Sequence, residues 1–144
     1  MSKTVMKHSD ADAIWQMLVT MVMDSRSDWR RNMSEATGLP FSRIRALKRL
    51  VHAPMTLKDL ANEMSTDAPA ATVAINDLEK RGLVERYPHP DNRRAKLVAI
   101  TTAGRRVIAT ARKVVETAPP SIQDLPATDI AALRRILDKI NTQS

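Results

Sequence analysis

Between Leu57 and Arg106 the hydrophobic period changes twice, and this limits the folds open to the chain more than any other feature. LKDLANEM and APAATVAINDLEK repeat apolar groups at helical spacing, with Ser65-Thr66-Asp67 between them. After Gly82 the pattern alternates: Leu83–Tyr87 and Lys96–Ile100 read as strands flanking the turn-rich Pro88-His89-Pro90-Asp91-Asn92. Helical spacing returns at Thr101 or Thr102, either of which can cap the helix. Two short helices, a tight turn, a ribbon with a basic tip and a further helix form the order of a winged helix-turn-helix, a module that lays one helix in a DNA major groove.

The local chemistry agrees with that order. Thr56, followed three residues later by Asp59, resembles a capping box. Asp67 can cap the next helix, and Pro69 is tolerated there because first-turn N–H groups have no partner within the helix. Gly82 suits the positive-φ position just past a helix end.

The flanks are helical as well. Ile14, Met17, Leu18, Met21, Val22, Trp29 and Met33 share a spacing that predicts a long helix over Ser9–Met33, capped by Ser9 or Asp10. Gly38-Leu39-Pro40 breaks it, and Phe41, Ile44, Leu47, Leu50 and Val51 line a second helix that Pro54 ends. Beyond the ribbon, Val107, Ile108, Ala111, Val114 and Val115 mark one helix. Ile130, Leu133, Ile136, Leu137 and Ile140 mark another, after Pro119-Pro120. The apolar faces at both ends exceed what a winged helix can cover, which points to a homodimer. The expected fold is mainly α with a small β-hairpin wing (α+β). It is a single domain over residues 1–144, with the winged helix-turn-helix at about 39–101 and dimerisation helices at about 9–35 and 102–144.

A net charge of +7 and a pI of about 10.2 call for an acidic partner, of which double-stranded DNA is the commonest. Aromatic residues at 3% argue against stacking platforms for single strands. Without cysteine there is no disulfide framework, no thiol nucleophile and no cysteine-based metal or redox site. His8, His52 and His89 are scattered, and Asp91 has no spacing that converges with Asp10, Asp12 or Glu35. With no nucleophile–base pairing and no glycine-rich phosphate loop, neither an enzyme, a metal site nor a cofactor is expected. No apolar run nears the ~20 residues of a membrane span. MSKTVMKHSDADAIW also lacks an apolar signal core, so a cytoplasmic protein is expected.

The candidate reading surface is the helix from Ala68 to Arg81. Ala71, Ile75 and Leu78 should face inward, leaving Ala70, Thr72, Val73, Asn76 and Asp77 nearer a groove. Asn can pair bidentately with adenine, Thr can hydrogen-bond or touch a thymine methyl, and Ala or Val can pack on that methyl. For any single residue, a merely solvated polar face is an equal alternative. At the wing tip, Arg93, Arg94 and Lys96 are the further candidates, since an arginine on a hairpin can enter a narrow minor groove while its neighbour holds phosphate. Lys80 and Arg86 are assigned to phosphate attraction or to structure.

LKDLANEM, TVAINDLEKRGLVER and HPDNRRAKLVAITTAGRR together resemble the MarR family of bacterial transcription regulators, over nearly the whole chain. The resemblance implies a triangular homodimer joined by its N- and C-terminal helices. It also implies binding to pseudo-palindromic operators, most often as a repressor, with release by a small aromatic or anionic effector. By position, Arg94 corresponds to the wing arginine in the minor groove, with Arg93 beside it, and Thr72 to a groove-facing threonine. Two residues depart from the pattern. Asn92 stands where the family usually has Asp, so a hydrogen bond or Asp91 must brace the tip in place of an ion pair. Val73 stands where a basic residue is common, so a thymine-methyl contact is expected there. The lack of cysteine excludes the thiol-oxidation mechanism of the peroxide-sensing branch. An effector site between the DNA-binding lobe and the dimerisation helices would draw on Trp15, Met17, Trp29 and Phe41 as an apolar wall and Arg45 as anion partner. The other reading is that these residues only pack the dimer. Two further functions remain open: an architectural or anti-silencing DNA-binding protein that needs no ligand, and a winged-helix protein–protein interaction module.

Overall fold

The helix over Ala68–Lys80 is closed at both ends by its own sequence, and the rest of the fold turns on it. Asp67 caps it, accepting from the Ala70 N–H at 2.7 Å. At the other end Gly82 adopts φ +76°, the Gly82 N–H reaches the Glu79 carbonyl, and the Leu83 N–H reaches the Leu78 carbonyl at 2.9 Å. This is the paired pattern of a Schellman stop, and it redirects the chain from helix into strand.

The computed structural model describes residues 3–143, and their side chains from residue 9 onward. In chain order the elements are α1 (Lys3–Thr37), α2 (Phe41–Leu50), β1 (Met55–Thr56), α3 (Leu57–Glu63) and α4 (Ala68–Lys80). They continue with β2 (Val84–Pro88), β3 (Lys96–Ile100), α5 (Thr102–Glu116), α6 (Pro120–Gln123) and α7 (Ala127–Asn141). His8, and the outermost residues of the expected 1–144 domain, fall outside the described side chains.

Several sequence expectations are revised. α1 does not start at a Ser9 or Asp10 cap but runs through both from Lys3. No Gly or Pro interrupts that stretch, and Ser or Asp inside a helix costs only ~0.5 kcal/mol each relative to Ala. The first ribbon strand is Val84–Pro88, displaced one residue from Leu83–Tyr87. Met55–Thr56 forms a third strand, β1, too short to show a period. The sheet order is β1-β3-β2, antiparallel throughout, with Met55 opposite Val98 and Tyr87 opposite Leu97. Pro88 is harmless because β2 is an edge strand and its missing N–H interrupts no central ladder. α6 was likewise hidden, a single turn after Pro119.

The chain divides into two compact units after Val114, within the last turns of α5. The first holds the core: Leu47, Leu50, Leu60, Ile75, Leu78 and Val98 are sealed from solvent, drawn from α2, α3, α4 and β3, and Leu39 joins them from the connector before α2. Met33, near the end of α1, packs against this cluster, while Ile14, Trp15, Met17, Met21 and Val22 remain exposed. Thr101 caps α5, accepting from the Gly104 N–H at 3.1 Å while its hydroxyl donates to the Gly82 carbonyl at 2.7 Å. The α5 helix approaches the strand so closely that a Cβ on Gly104 would lie 2.3 Å from the Leu83 carbonyl oxygen. In the second unit α7 carries Ile130, Leu133, Ile136, Leu137 and Ile140, all exposed.

Candidate nucleic-acid interface

The inward face of α4 is Ala71, Ala74, Ile75 and Leu78, all buried. Its opposite face exposes Ala70, Val73, Asn76 and Lys80, spaced so that they form one stripe about 15 Å long at ~1.5 Å rise per residue. Val73, an apolar residue, is 60% exposed at the centre of that stripe. Thr72 is half-buried, and its hydroxyl donates back to the Ala68 carbonyl at 2.9 Å. A hydroxyl engaged in that way keeps its lone pairs and its methyl for an outside contact.

Two arginines hold the Asp77 carboxylate of α4. Arg43 of α2 donates through Nε to Asp77 at 2.9 Å, and Arg81 reaches the other oxygen of the same carboxylate at 3.0 Å. Those two hydrogen bonds hold the Asp77 carboxyl below the ordinary carboxylate range, against a smaller opposing effect of desolvation. Asp77 therefore belongs to the support of the helix and has little left to offer a groove. On the strand side, Arg86 of β2 donates to Oδ1 of Asn76 and faces Glu79 at 3.5 Å. Sequence could indicate the Asp77–Arg81 pair, since a four-residue spacing lies on one helix face. It carried no sign of the Arg43 or Arg86 contacts, which join separate elements.

The wing connector, residues 89–95, bonds to itself. The His89 N–H donates to the Ala95 carbonyl, the Asp91 N–H to His89 Nδ1, and the Ala95 N–H to the Asn92 carbonyl. Asn92 Oδ1 accepts from the Arg94 N–H at 3.1 Å, so a hydrogen bond to backbone braces the tip where an ion pair would otherwise stand. Arg93, Arg94 and Lys96 are exposed, and none forms an ion pair with the described residues. The structure thus presents the α4 stripe and the wing cations from one compact unit.

The five proposed effector residues are not brought together within one chain. Trp15 and Trp29 are separated by fourteen residues of a continuous helix, about 21 Å along its axis. A surface depression of about 480 Å³ on α1 is lined by Ala13, Gln16, Met17, Thr20 and Met21 and includes only Met17 of the five. Phe41 is half-buried beneath the guanidinium of Arg30, 4.8 Å from its ring centre, while Arg45 is exposed. Among the described residues, no group of three or more His, Asp or Glu side chains is placed to hold a metal ion. Nor is any helix among them long and apolar enough to cross a membrane.

Comparison with known proteins points the same way. A family model described as the MarR family matches residues 43–96. The uncharacterized HTH-type transcriptional regulator YdgJ of Bacillus subtilis (strain 168) is 35% identical over 81 residues, covering 56% of this chain and 49% of that protein. The multiple antibiotic resistance protein MarR of Escherichia coli (strain K12) is 30% identical over 90 residues, covering 61% of this chain and 62% of its own. The chain spans about half the length of the curated relatives it matches. Among solved structures, a mutant of S. aureus MepR bound to an oligodeoxyribonucleotide shares the fold at a TM-score of 0.72 and 17% identity, over 90% of this chain and 96% of that one. A transcriptional regulator (MarR family) from Rhodococcus sp. RHA1 has a TM-score of 0.59 at 26% identity, over 93% and 96% of the two chains.

Proposed function

Through its winged-helix segment the chain belongs to the MarR family, and from that premise we propose that it is a non-enzymatic, cytoplasmic transcription regulator that binds double-stranded DNA as a homodimer. The observation that carries this reading is the pairing of surfaces on one lobe: the Ala70–Val73–Asn76–Lys80 stripe of α4 and the exposed Arg93 and Arg94 of the wing. The stripe suits a major groove and the wing a narrow minor groove. Repression of a pseudo-palindromic operator follows if two such lobes are set about one helical turn, ~34 Å, apart.

The exposed apolar faces of α1 and α7 support the homodimer, because unburied apolar stripes mark interfaces more often than tolerated surface. Response to a small aromatic or anionic effector belongs to the same reading. Its support is narrower than the sequence suggested, resting on Phe41 and the cation held over it, which is Arg30 and not Arg45.

The test is duplex binding across salt concentrations. A DNA-binding protein that releases several counterions loses affinity linearly on a log–log plot, with a slope near −0.9 per phosphate contacted. A flat response would leave a protein–protein interaction module as the better account. Release of DNA on adding an aromatic acid separates a responsive regulator from an architectural protein, which would hold its DNA.

A further inference from the structure

The strand behind α4 grips one of the candidate readers by a particular atom. Arg86 donates from a terminal guanidinium nitrogen to Oδ1 of Asn76. A guanidinium carries donors only, so the amide atom that faces it must be the oxygen, and the amide nitrogen is turned the other way. Asn76 is itself exposed, on the α4 stripe beside Val73. It therefore turns its N–H donors toward a groove, with the oxygen held back against the strand.

Releasing the oxygen would be costly. The Arg86 side chain is only 21% exposed, and its buried Nε already lacks a hydrogen-bond partner, with Glu79 3.5 Å away. Loss of Asn76 would strip a second donor of this partly buried cation, and an unmade bond to a buried charged group is among the more expensive defects. The pairing that asparagine makes with adenine requires the amide oxygen to accept from the adenine amine while the nitrogen donates to N7. The oxygen keeps a second lone pair, but its bond to Arg86 turns it toward the strand and leaves the nitrogen to face a groove.

We propose that Asn76 reads a hydrogen-bond acceptor on a base edge (a purine N7, guanine O6 or thymine O4) and ignores the adenine amine, with Arg86 as the positioning residue that sets this polarity. This rests on the DNA-binding reading above and narrows it to the chemistry of one position in each half-site.

The experiment starts from duplexes enriched by the wild-type protein from a random-sequence pool. Single atoms are then deleted at each half-site position: 7-deazapurines for N7, 2-aminopurine for guanine O6, 5-methyl-2-pyrimidinone for thymine O4 and unsubstituted purine for the adenine amine. One acceptor deletion should weaken wild-type binding by about 3- to 10-fold, the worth of one hydrogen bond, and leave Asn76→Ala unaffected. Deleting the adenine amine should change nothing for wild type. Asn76→Asp keeps an oxygen for Arg86 but turns a second acceptor outward, so it should lose at least as much affinity as Asn76→Ala. With adenine placed at that position, Arg86→Ala should create a dependence on its amine, whereas a merely structural role would lower affinity without changing which deletion matters. Thermal unfolding checks that Arg86→Ala is folded; if it is not, Arg86→Lys, which retains a charged donor, should keep the wild-type profile. Wild-type sensitivity to the adenine amine that vanishes in Asn76→Ala overturns the proposal. So does the absence of any position where Asn76→Ala and an acceptor deletion coincide. Failure to enrich any duplex overturns the DNA-binding reading, and this inference with it.

Discussion

Leu47 and Met17 are both large apolar residues on helices, yet Leu47 is sealed from solvent and Met17 is 68% exposed. The difference extends to the regions around them. From Leu39 to Ala111 most apolar residues of α2, α3, α4, β2, β3 and α5 close on one another, whereas α1 before Met33 carries a stripe that is left exposed. A self-contained core can hold recognition residues in fixed positions. A bare stripe suits a partner, and in the proposed homodimer a second copy would supply the same stripe by symmetry.

The largest effects should come from opening the closed region. Gly104→Ala would drive a Cβ to 2.3 Å from the Leu83 carbonyl oxygen and 2.6 Å from Ile100 Cγ1. The backbone oxygen cannot swing aside as a flexible side chain would, so a loss of about 3 kcal/mol or more in urea unfolding is expected. Leu47→Ala removes a fully buried side chain and should cost about 2–5 kcal/mol. If either change is neutral, the lobe is less tightly closed than its burial indicates.

The stripe should respond in the opposite way. Ile14→Glu with Met17→Glu places two charges on α1 at positions 57% and 68% exposed, so the lobe should remain folded. The homodimer should dissociate, by about 100-fold or more, because charges desolvated at an interface are strongly unfavourable. Sedimentation at micromolar concentration measures this. An unchanged dimer would move the interface elsewhere, and a collapse of the lobe would mean that the two regions are not separable.

Arg94→Ala leaves both regions intact, being exposed and outside any ion pair with the described residues. It should weaken duplex binding about tenfold, near the low end of the range for a good base contact. Thermal stability and dimer mass should not move. Equal affinity at physiological salt would reduce the wing to a solvated turn.

Asp77 links the closed lobe to pH. Arg43 and Arg81 lower its folded-state pKa below the ordinary aspartate value of 3.8, so their stabilisation is fully present above about pH 4. It is lost as pH falls from there through the lower folded value, because the unfolded chain takes up the proton first. Urea midpoints followed between pH 5 and pH 3 should fall more steeply in wild type than in Asp77→Asn. Parallel slopes would mean that the Arg43–Asp77–Arg81 contact adds nothing to stability.

Most of the closed region was legible in the sequence, and the reason is local. Thr56, Asp67 and Gly82 act through hydrogen bonds to near neighbours, so cap and stop could be read from composition and spacing. The inward positions of α4 followed from the 3.6-residue period. What escaped depends on residues distant in the chain: β1 exists because Met55 and Thr56 find β3, and Gly104 matters because α5 meets the Leu83 carbonyl. At the candidate interface the exposed stripe was visible, but the state of each polar group was not. Asn76 looked like a two-way reader until Arg86, ten residues on, was found holding its oxygen. The α1 start was misplaced because a residue that can cap a helix is also tolerated inside one.

The smallest effect expected separates two kinds of exposed apolar residue. Val73 and Met17 are almost equally bare, at 60% and 68%. Met17 lies among Ile14, Met21 and Val22, a continuous surface that suits a protein partner. Val73 stands alone between Ala70 and Asn76 on a helix that otherwise offers small or polar groups, which suits a single methyl on a base. Replacing thymine by uracil, one half-site position at a time, removes that methyl without disturbing base pairing. At one position wild-type affinity should fall by about 3- to 4-fold, the equivalent of ~0.8 kcal/mol for one buried methyl-sized group. Val73→Ala should abolish most of that sensitivity, and 5-methylcytosine placed there should recover part of the thymine contact, since it presents the same methyl in the major groove. Met17→Ala should change none of these values while weakening the dimer. If uracil is tolerated at every position, Val73 is no reader, and its exposure has the same unspecific character as any isolated apolar side chain on a protein surface.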